Sequence, residues 1–215
     1  IRTANGGGAR FGAQHSQSVE NWAMMIPGLK VVAPSTPRDV VGLLAAAIRD
    51  PDPVLFFEHK ALMGDKAVIP DGEIVDSLGT ATVVRPGTDV TIAALAAMVP
   101  RALHAADRLA ADGISAEVVD VRSLVPLDVR TILASVAKTG RFVTVEENPR
   151  LCGWGAEIVS IVSDEAFWDL DGPCLRITTP HIPLPAAGSL EDLALPSAER
   201  IHATIAASMD VRGTA

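Results

Sequence analysis

The sequence predicts an α/β protein with a mostly parallel sheet. Three observations lead there. Short apolar runs recur at 29–33, 54–57, 90–95, 116–121, 141–145 and 174–177. Segments of helical period separate most of them, and a helical crossover is what parallel strands require. A polar stretch rich in Gly and Pro, residues 64–87, divides this alternation into two blocks. The interior is aliphatic: hydrophobic residues make up 48% of the 215 positions, aromatics only 4%, and Tyr is absent. Ala, Val, Leu and Ile therefore fill the core.

Ile1-Arg2-Thr3 reads as the end of a strand feeding the loop Asn5-Gly-Gly-Gly-Ala-Arg-Phe-Gly-Ala-Gln-His-Ser-Gln17. A short amphipathic helix follows at 18–25 and ends at Pro27-Gly28. Leu29 to Ala33 is a buried strand. Thr36 caps the next helix, with Pro37 at its first position. Val40, Leu43, Leu44, Ala47 and Ile48 share one face of it. Asp50-Pro51-Asp52-Pro53 breaks the chain before the strand Val54–Phe57. Residues 29–57 thus form a parallel strand–helix–strand unit.

Within the polar stretch a short strand is expected at 80–84. The second block begins with strand 90–95 and continues with helix 99–112, closed by Gly113. Strand 116–121, helix 129–138, strand 141–145, helix 155–168 and strand 174–177 complete it. Gly140 supplies the left-handed residue after the 129–138 helix. Residues 180–193 read as irregular. Ser197 caps a last helix, 199–209, and 210–215 read as a tail.

The formal net charge is −8, from 18 basic and 26 acidic residues. That balance argues against nucleic acid and against an anionic membrane surface. No apolar run is long enough for a membrane-spanning helix. The two cysteines, Cys152 and Cys174, have no metal-ligand spacing, which fits a reducing intracellular compartment. Ile1 stands where an initiator Met would, so the chain is expected to start in mid-fold.

No Gly-x-Gly-x-x-Gly follows a strand, and there is no P-loop or nucleophile elbow. The glycine loop is either a site or a surface turn. Its three consecutive glycines permit close backbone approach, and His15 is flanked by Gln14, Ser16 and Gln17, which can orient an imidazole. His181 follows a strand end, where ligands gather in parallel sheets. His104 and His202 read as helix-surface or packing residues. Asp50 and Asp52 follow a helix C-terminus, which attracts cations; a rigid proline turn is the plainer reading. Glu146-Glu147 reads as a solvated turn or as a wall of a site or subunit contact.

Longer stretches carry a resemblance. Gly-Ala-Gln-His-Ser-Gln-Ser (12–18), Pro-Gly-Leu-Lys-Val-Val-Ala-Pro-Ser-Thr-Pro (27–37), Gly-Leu-Leu-Ala-Ala-Ala-Ile-Arg-Asp-Pro-Asp-Pro-Val (42–54) and Phe-Phe-Glu-His-Lys (56–60) resemble the β subunit of the thiamine-diphosphate-dependent 2-oxo acid dehydrogenase E1 component. Val-Val-Asp-Val-Arg-Ser-Leu-Val-Pro-Leu-Asp (118–128), Lys-Thr-Gly-Arg (138–141) and Gly-Ala-Glu-Ile (155–158) extend it. The match runs from Ile1 to about Met209. The family includes pyruvate, branched-chain 2-oxo acid and acetoin dehydrogenases, and Thr179-Pro180-His181-Ile182-Pro183 is most similar to the acetoin and pyruvate branches.

The resemblance implies a division of the chain. Residues 1–62 would be the C-terminal half of a truncated pyrimidine-binding domain, 63–86 a linker and 87–209 a transketolase C-terminal domain. It implies an α2β2 heterotetramer with an E1 α subunit and a second β subunit, serving a lipoyl-bearing E2. Thiamine diphosphate and Mg2+ would lie at the α/β interface, held by α. The family's aminopyrimidine glutamate has no counterpart here. His15 matches the active-site histidine. Ala47, Asp50 and Asp52 match positions that bind K+, mostly through backbone oxygens. Gln14 and His181 are candidate substrate or interface residues. The implied reaction is oxidative decarboxylation of a 2-oxo acid, pyruvate favoured, with acyl transfer to E2, in the cytoplasm or, in a eukaryote, the mitochondrial matrix. The alternatives are an acetoin dehydrogenase β subunit, a non-catalytic assembly module, and a free-standing small-molecule binder with a closed pocket in 88–185.

Overall fold

In the computed structural model residues 1–209 are described, and the tail expected at 210–215 lies outside them. The chain begins with β1 (Arg2–Asn5), which runs into the glycine loop. That loop carries a one-turn helix, α1 (Gly12–His15), before α2 (Glu20–Met24). Then come β2 (Lys30–Val32), α3 (Pro37–Arg49) and β3 (Val54–His59). After the polar stretch β4 (Thr82–Arg85) leads to β5 (Val90–Ala94), α4 (Met98–Ala111), β6 (Ala116–Asp120) and β7 (Ser123–Val125). The chain closes with α5 (Val129–Thr139), β8 (Phe142–Pro149), α6 (Gly155–Glu165), β9 (Leu175–Thr179), α7 (Gly188–Ala194) and α8 (Ala198–Met209).

Local chemistry accounts for three of the helix starts and one helix end. The Thr36 hydroxyl accepts the Asp39 N–H at 3.1 Å, with Pro37 opening α3 as expected. The Asp128 carboxylate accepts the Thr131 N–H at 3.1 Å and starts α5; Gly140, at φ +65°, ends it. The Ser197 hydroxyl accepts the Arg200 N–H at the start of α8.

Two sheets result. One has the order β1-β3-β2-β7, the other β4-β6-β5-β8-β9. β2 and β3 are parallel, as the strand–helix–strand reading requires. In the second sheet only β4 is antiparallel, at one edge.

Several elements depart from the sequence expectation. β7 leaves the second block and pairs antiparallel with β2 of the first sheet. It spans three residues, too few to show a period. Arg122, at φ +59°, makes the reversal between β6 and β7. Its buried guanidinium is fixed by Asp39, at 2.9 Å, and by Asp76. The 155–168 helix stops at Glu165 and continues as a 3-10 turn, Phe167–Asp169. The stretch read as irregular contains α7. β8 extends through Glu146, Glu147 and Asn148, all buried, so the solvated-turn reading of Glu146-Glu147 is wrong.

The sheets share a core. Val31, Phe57 and Leu124 of the first pack in one cluster with Ala93 and Phe142 of the second and with Val121, Trp154 and Ile158. A second cluster, built on Ile92, Met98, Leu109, Val118, Ile201 and Ile205, seats α4 and α8 against the second sheet. Burying these side chains contributes about 1.5–3 kcal/mol for each of the larger ones.

Candidate active site

The glycine loop leaves β1 next to β3. Gly6 sits at φ +92°, and a Cβ there would collide with the His59 ring. Only glycine satisfies both demands, so the loop can lie directly on the imidazole. Gly7 and Gly8 then present their N–H groups to carboxylates of the second block. Gly7 donates to Glu147 at 2.5 Å and Gly8 to Glu191 at 3.0 Å. Arg10 donates to Glu191 at 2.8 Å, to Asp192 at 3.0 Å and to the Gly188 carbonyl at 2.9 Å. Behind the loop, Leu184 and Leu195 back Gly7, and Ala186 backs Gly12.

The far end of the loop is fastened by the same strand. The Ser18 hydroxyl donates to Glu147 at 2.7 Å. The Asn148 amide donates to the Ser18 carbonyl at 2.8 Å and to Asn21 at 3.2 Å. Asn21 in turn donates to the Cys152 carbonyl at 2.7 Å. Glu147 also meets Nε2 of buried His59 at 2.9 Å.

Burial raises the pKa of Glu147, but the charge and hydrogen bond of His59, with the Gly7 and Ser18 donors, outweigh it and bring it down to about 2. Neighbouring Glu20, equally buried, goes the other way: desolvation raises its pKa against the opposing pull of the Asn5 amide.

Held in this way, α1 presents His15 at its C-terminal end, exposed, with the Phe11 ring edge-on at 6.5 Å between centroids. His15 and Gln14 line a cleft of about 660 Å³ together with Asn5, Gln17, Trp22 and Lys60. A loop imidazole on a rigid support, at the edge of a cleft with aromatic walls, is a group that can pass a proton to or from a bound molecule.

The other expected residues lie elsewhere. His181 stands exposed on the turn after β9 and does not line this cleft. Asp50 and Asp52 follow α3, and a cation does sit on them: Lys30 Nζ, at 2.7 Å from Asp50 and 3.1 Å from Asp52. The lysine hydrogen bond holds the Asp50 carboxyl below its usual range. Their carboxylates are thus already engaged, and Ala47 lies a turn earlier in α3. Among the described residues no group of three His, Cys, Asp or Glu side chains is placed to hold a metal ion.

Sequence reasoning missed Glu191, His59 and Lys60 as parts of this region; for Glu147 it left a site wall as one of two readings. Glu147 carried a weak signal, a carboxylate pair at a strand's carboxyl end. Glu191 carried none.

A buried histidine–carboxylate pair under a glycine loop thus joins two mostly parallel sheets of an α/β protein. Residues 79–201 match the family described as transketolase, C-terminal domain, and residues 1–66 match transketolase, pyrimidine binding domain. The chain belongs to the transketolase family. It is 47% identical over 209 residues to an acetoin:2,6-dichlorophenolindophenol oxidoreductase subunit beta of Cupriavidus necator, covering 97% of this chain and 62% of that one. It is 50% identical over 206 residues to a mitochondrial pyruvate dehydrogenase E1 component subunit beta-1 of Arabidopsis thaliana, covering 94% and 56%. The chain thus spans somewhat over half the length of these curated relatives. Among solved structures, one described as a split gene transketolase, inactive beta4 tetramer, superposes with a TM-score of 0.79 at 26% identity, over 95% of this chain and 65% of that one.

Proposed function

We propose that this chain forms the His15-bearing part of a 2-oxo acid dehydrogenase E1 β subunit, acting on pyruvate or a close analogue and passing the acyl group to a lipoyl-bearing E2. One observation carries the reading. The histidine loop that the resemblance identifies as catalytic is clamped at both ends by buried groups of the second block, Glu147 and Asn148 on β8 and Glu191 on α7. Such a support keeps an imidazole in a defined place.

The family is thiamine-diphosphate-dependent, and the residues present fit one side of that cofactor. The cleft offers Phe11 and Trp22 as ring-facing walls and His15 as a proton carrier. The Mg2+ and diphosphate side has no matching ligand set among the described residues and falls to the α subunit. When bound, thiamine diphosphate supplies the carbanion and electron sink for decarboxylation. The chain's own part is to place His15, to wall the cleft, and to hold or release a proton at the imidazole. For K+, backbone oxygens at Ala47, Asp50 and Asp52 are the proposed ligands, since the two carboxylates are engaged by Lys30. The division of the chain at 1–62, 63–86 and 87–209 belongs to the same reading, as do the α2β2 assembly and a cytoplasmic or mitochondrial-matrix location. No helix among the described residues is long and apolar enough to cross a membrane.

A second reading, an assembly module without chemistry, is favoured by the apolar side chains left exposed by the cleft: Trp22 at 71%, Met25 at 79% and Ile26 at 51%. One experiment separates the two. Calorimetry with thiamine diphosphate and Mg2+ is expected to give no heat with this chain alone and saturable binding with the full-length β plus α. His15→Ala is then expected to abolish turnover of the assembled enzyme while leaving assembly intact. Cofactor binding by the chain alone sinks the claim that the cofactor site is shared with the α subunit, and full activity of the His15 variant sinks the catalytic reading.

A further inference from the structure

The His15 cleft is lined by Ala, Val, Phe and Trp side chains, by the amides of Asn5, Gln14 and Gln17, by His15 and by Lys60. No carboxylate lines it. Lys60 brings the one permanent charge among the lining residues, at the start of the 3-10 turn Lys60–Leu62 that follows β3.

The ammonium has no hydrogen-bond or ion-pair partner among the described residues. Glu147 and Glu191 act on it through space. Their oxygens, however, are engaged by other donors: Glu147 by Gly7, Ser18 and His59, Glu191 by Gly8 and Arg10. Burial already pulls the Lys60 pKa down, which marks the ammonium as partly stripped of water. A half-buried cation without an acceptor, on a cleft without an acid, calls for an acceptor from the ligand.

We propose that Lys60 is the carboxylate-binding residue of the His15 cleft and that it selects an anionic 2-oxo acid over a neutral acyloin of similar size. This rests on the E1 β reading and refines it, because that reading leaves pyruvate and acetoin open. The charge favours a carboxylate over a phosphate or diphosphate. One ammonium, with no metal-binding group nearby among the described residues, balances a monoanion and leaves a more highly charged anion uncompensated.

The test titrates this chain with pyruvate, acetoin and inorganic phosphate, reading the Trp22 indole fluorescence against a Trp22→Phe control and the His15 imidazole proton resonances. Pyruvate is expected to saturate both signals with a Kd at least about tenfold below that of acetoin, the scale of a charge-assisted hydrogen bond. Lys60→Gln is expected to erase that preference and Lys60→Arg to keep most of it. Equal affinity for pyruvate and acetoin, tighter binding of phosphate, a preference surviving in Lys60→Gln, or no saturable change with any probe overturns the proposal. In the assembled enzyme, Lys60→Gln is expected to raise KM for pyruvate with little change in kcat. An unchanged KM beside a dead His15→Ala variant overturns the role of Lys60 and leaves the E1 β reading standing. An active His15→Ala variant removes that reading, while the anion preference of the isolated chain is judged separately by the binding assay.

Discussion

Nε2 of His59 lies 2.9 Å from Oε2 of Glu147, and both side chains are buried where β3 of one sheet meets β8 of the other. The same carboxylate takes the N–H of Gly7 and the hydroxyl of Ser18. One group thus ties both ends of the histidine loop to both sheets. Replacing it with a neutral amide leaves the loop N–H and the imidazole without their charged partner. Glu147→Gln is expected to cost about 3 kcal/mol, the scale for breaking a buried pair. Urea unfolding at neutral pH checks the cost, and amide exchange at Gly7 checks whether the loop opens.

The depressed pKa of Glu147 sets a pH window. Folding lowers it from its ordinary 4.5 to about 2, so the folded chain resists a proton that the unfolded chain accepts. The stabilisation is complete above about pH 4.5 and is lost as pH falls toward 2. Wild type is therefore expected to lose more stability between pH 6 and pH 3 than Glu147→Gln does, read as the shift in urea midpoint. Parallel losses in the two proteins refute the assignment.

Asp120 behaves in the opposite sense. It ends β6, fully buried, with the Ser35 hydroxyl donating to one oxygen and the Arg122 N–H to the other at 3.1 Å. Desolvation, joined by the nearby charge of Asp39, raises its pKa to about 7 against the pull of Ser35 and Arg122. The folded chain then holds a proton that the unfolded chain has released. Stability from this group is full below about pH 4 and falls as pH rises to 7, by roughly 4 kcal/mol in total. Asp120→Asn, which mimics the protonated form, is expected to flatten that slope and to be more stable than wild type at pH 8. Thermal unfolding across pH 4–8 decides it.

Gly6 allows a sharp steric test. Gly6→Ala places a Cβ against the His59 ring at φ +92°, and a strained backbone alone costs on the order of 1–3 kcal/mol. A lowered Tm is expected, together with a displaced His59 resonance. Gly113→Ala shares the left-handed φ, +82°, but has no atom within 4 Å of the added Cβ. It is expected to lower Tm less.

The Lys30 contact with Asp50 and Asp52 is partly solvated, so screening limits its worth. Lys30→Met is expected to lower stability only slightly, and the loss is expected to shrink in molar salt. A larger, salt-insensitive loss measured by urea unfolding contradicts this.

By itself the sequence determined what is encoded over short spans. The alternation of apolar runs with helical periods set the α/β class, and Thr36-Pro37, Asp128 and Gly140 set helix ends, because caps and φ preferences act within a few residues. The glycine loop and His15 were legible for the same reason, three glycines and a flanked imidazole being a local pattern. Tertiary structure decided the rest. Gly7 meets Glu147 across 140 positions and Gly8 meets Glu191 across 183, and no local period marks either carboxylate as buried. β7 joins the first sheet because Arg122 turns there under the hold of Asp39 and Asp76, a pairing of three distant segments. Lys30 reaches the acids after α3 for a similar reason, β2 beginning where that helix ends up. A charge shows its partner only when the chain has closed around it, since burial and distance, not residue type, set its electrostatic worth.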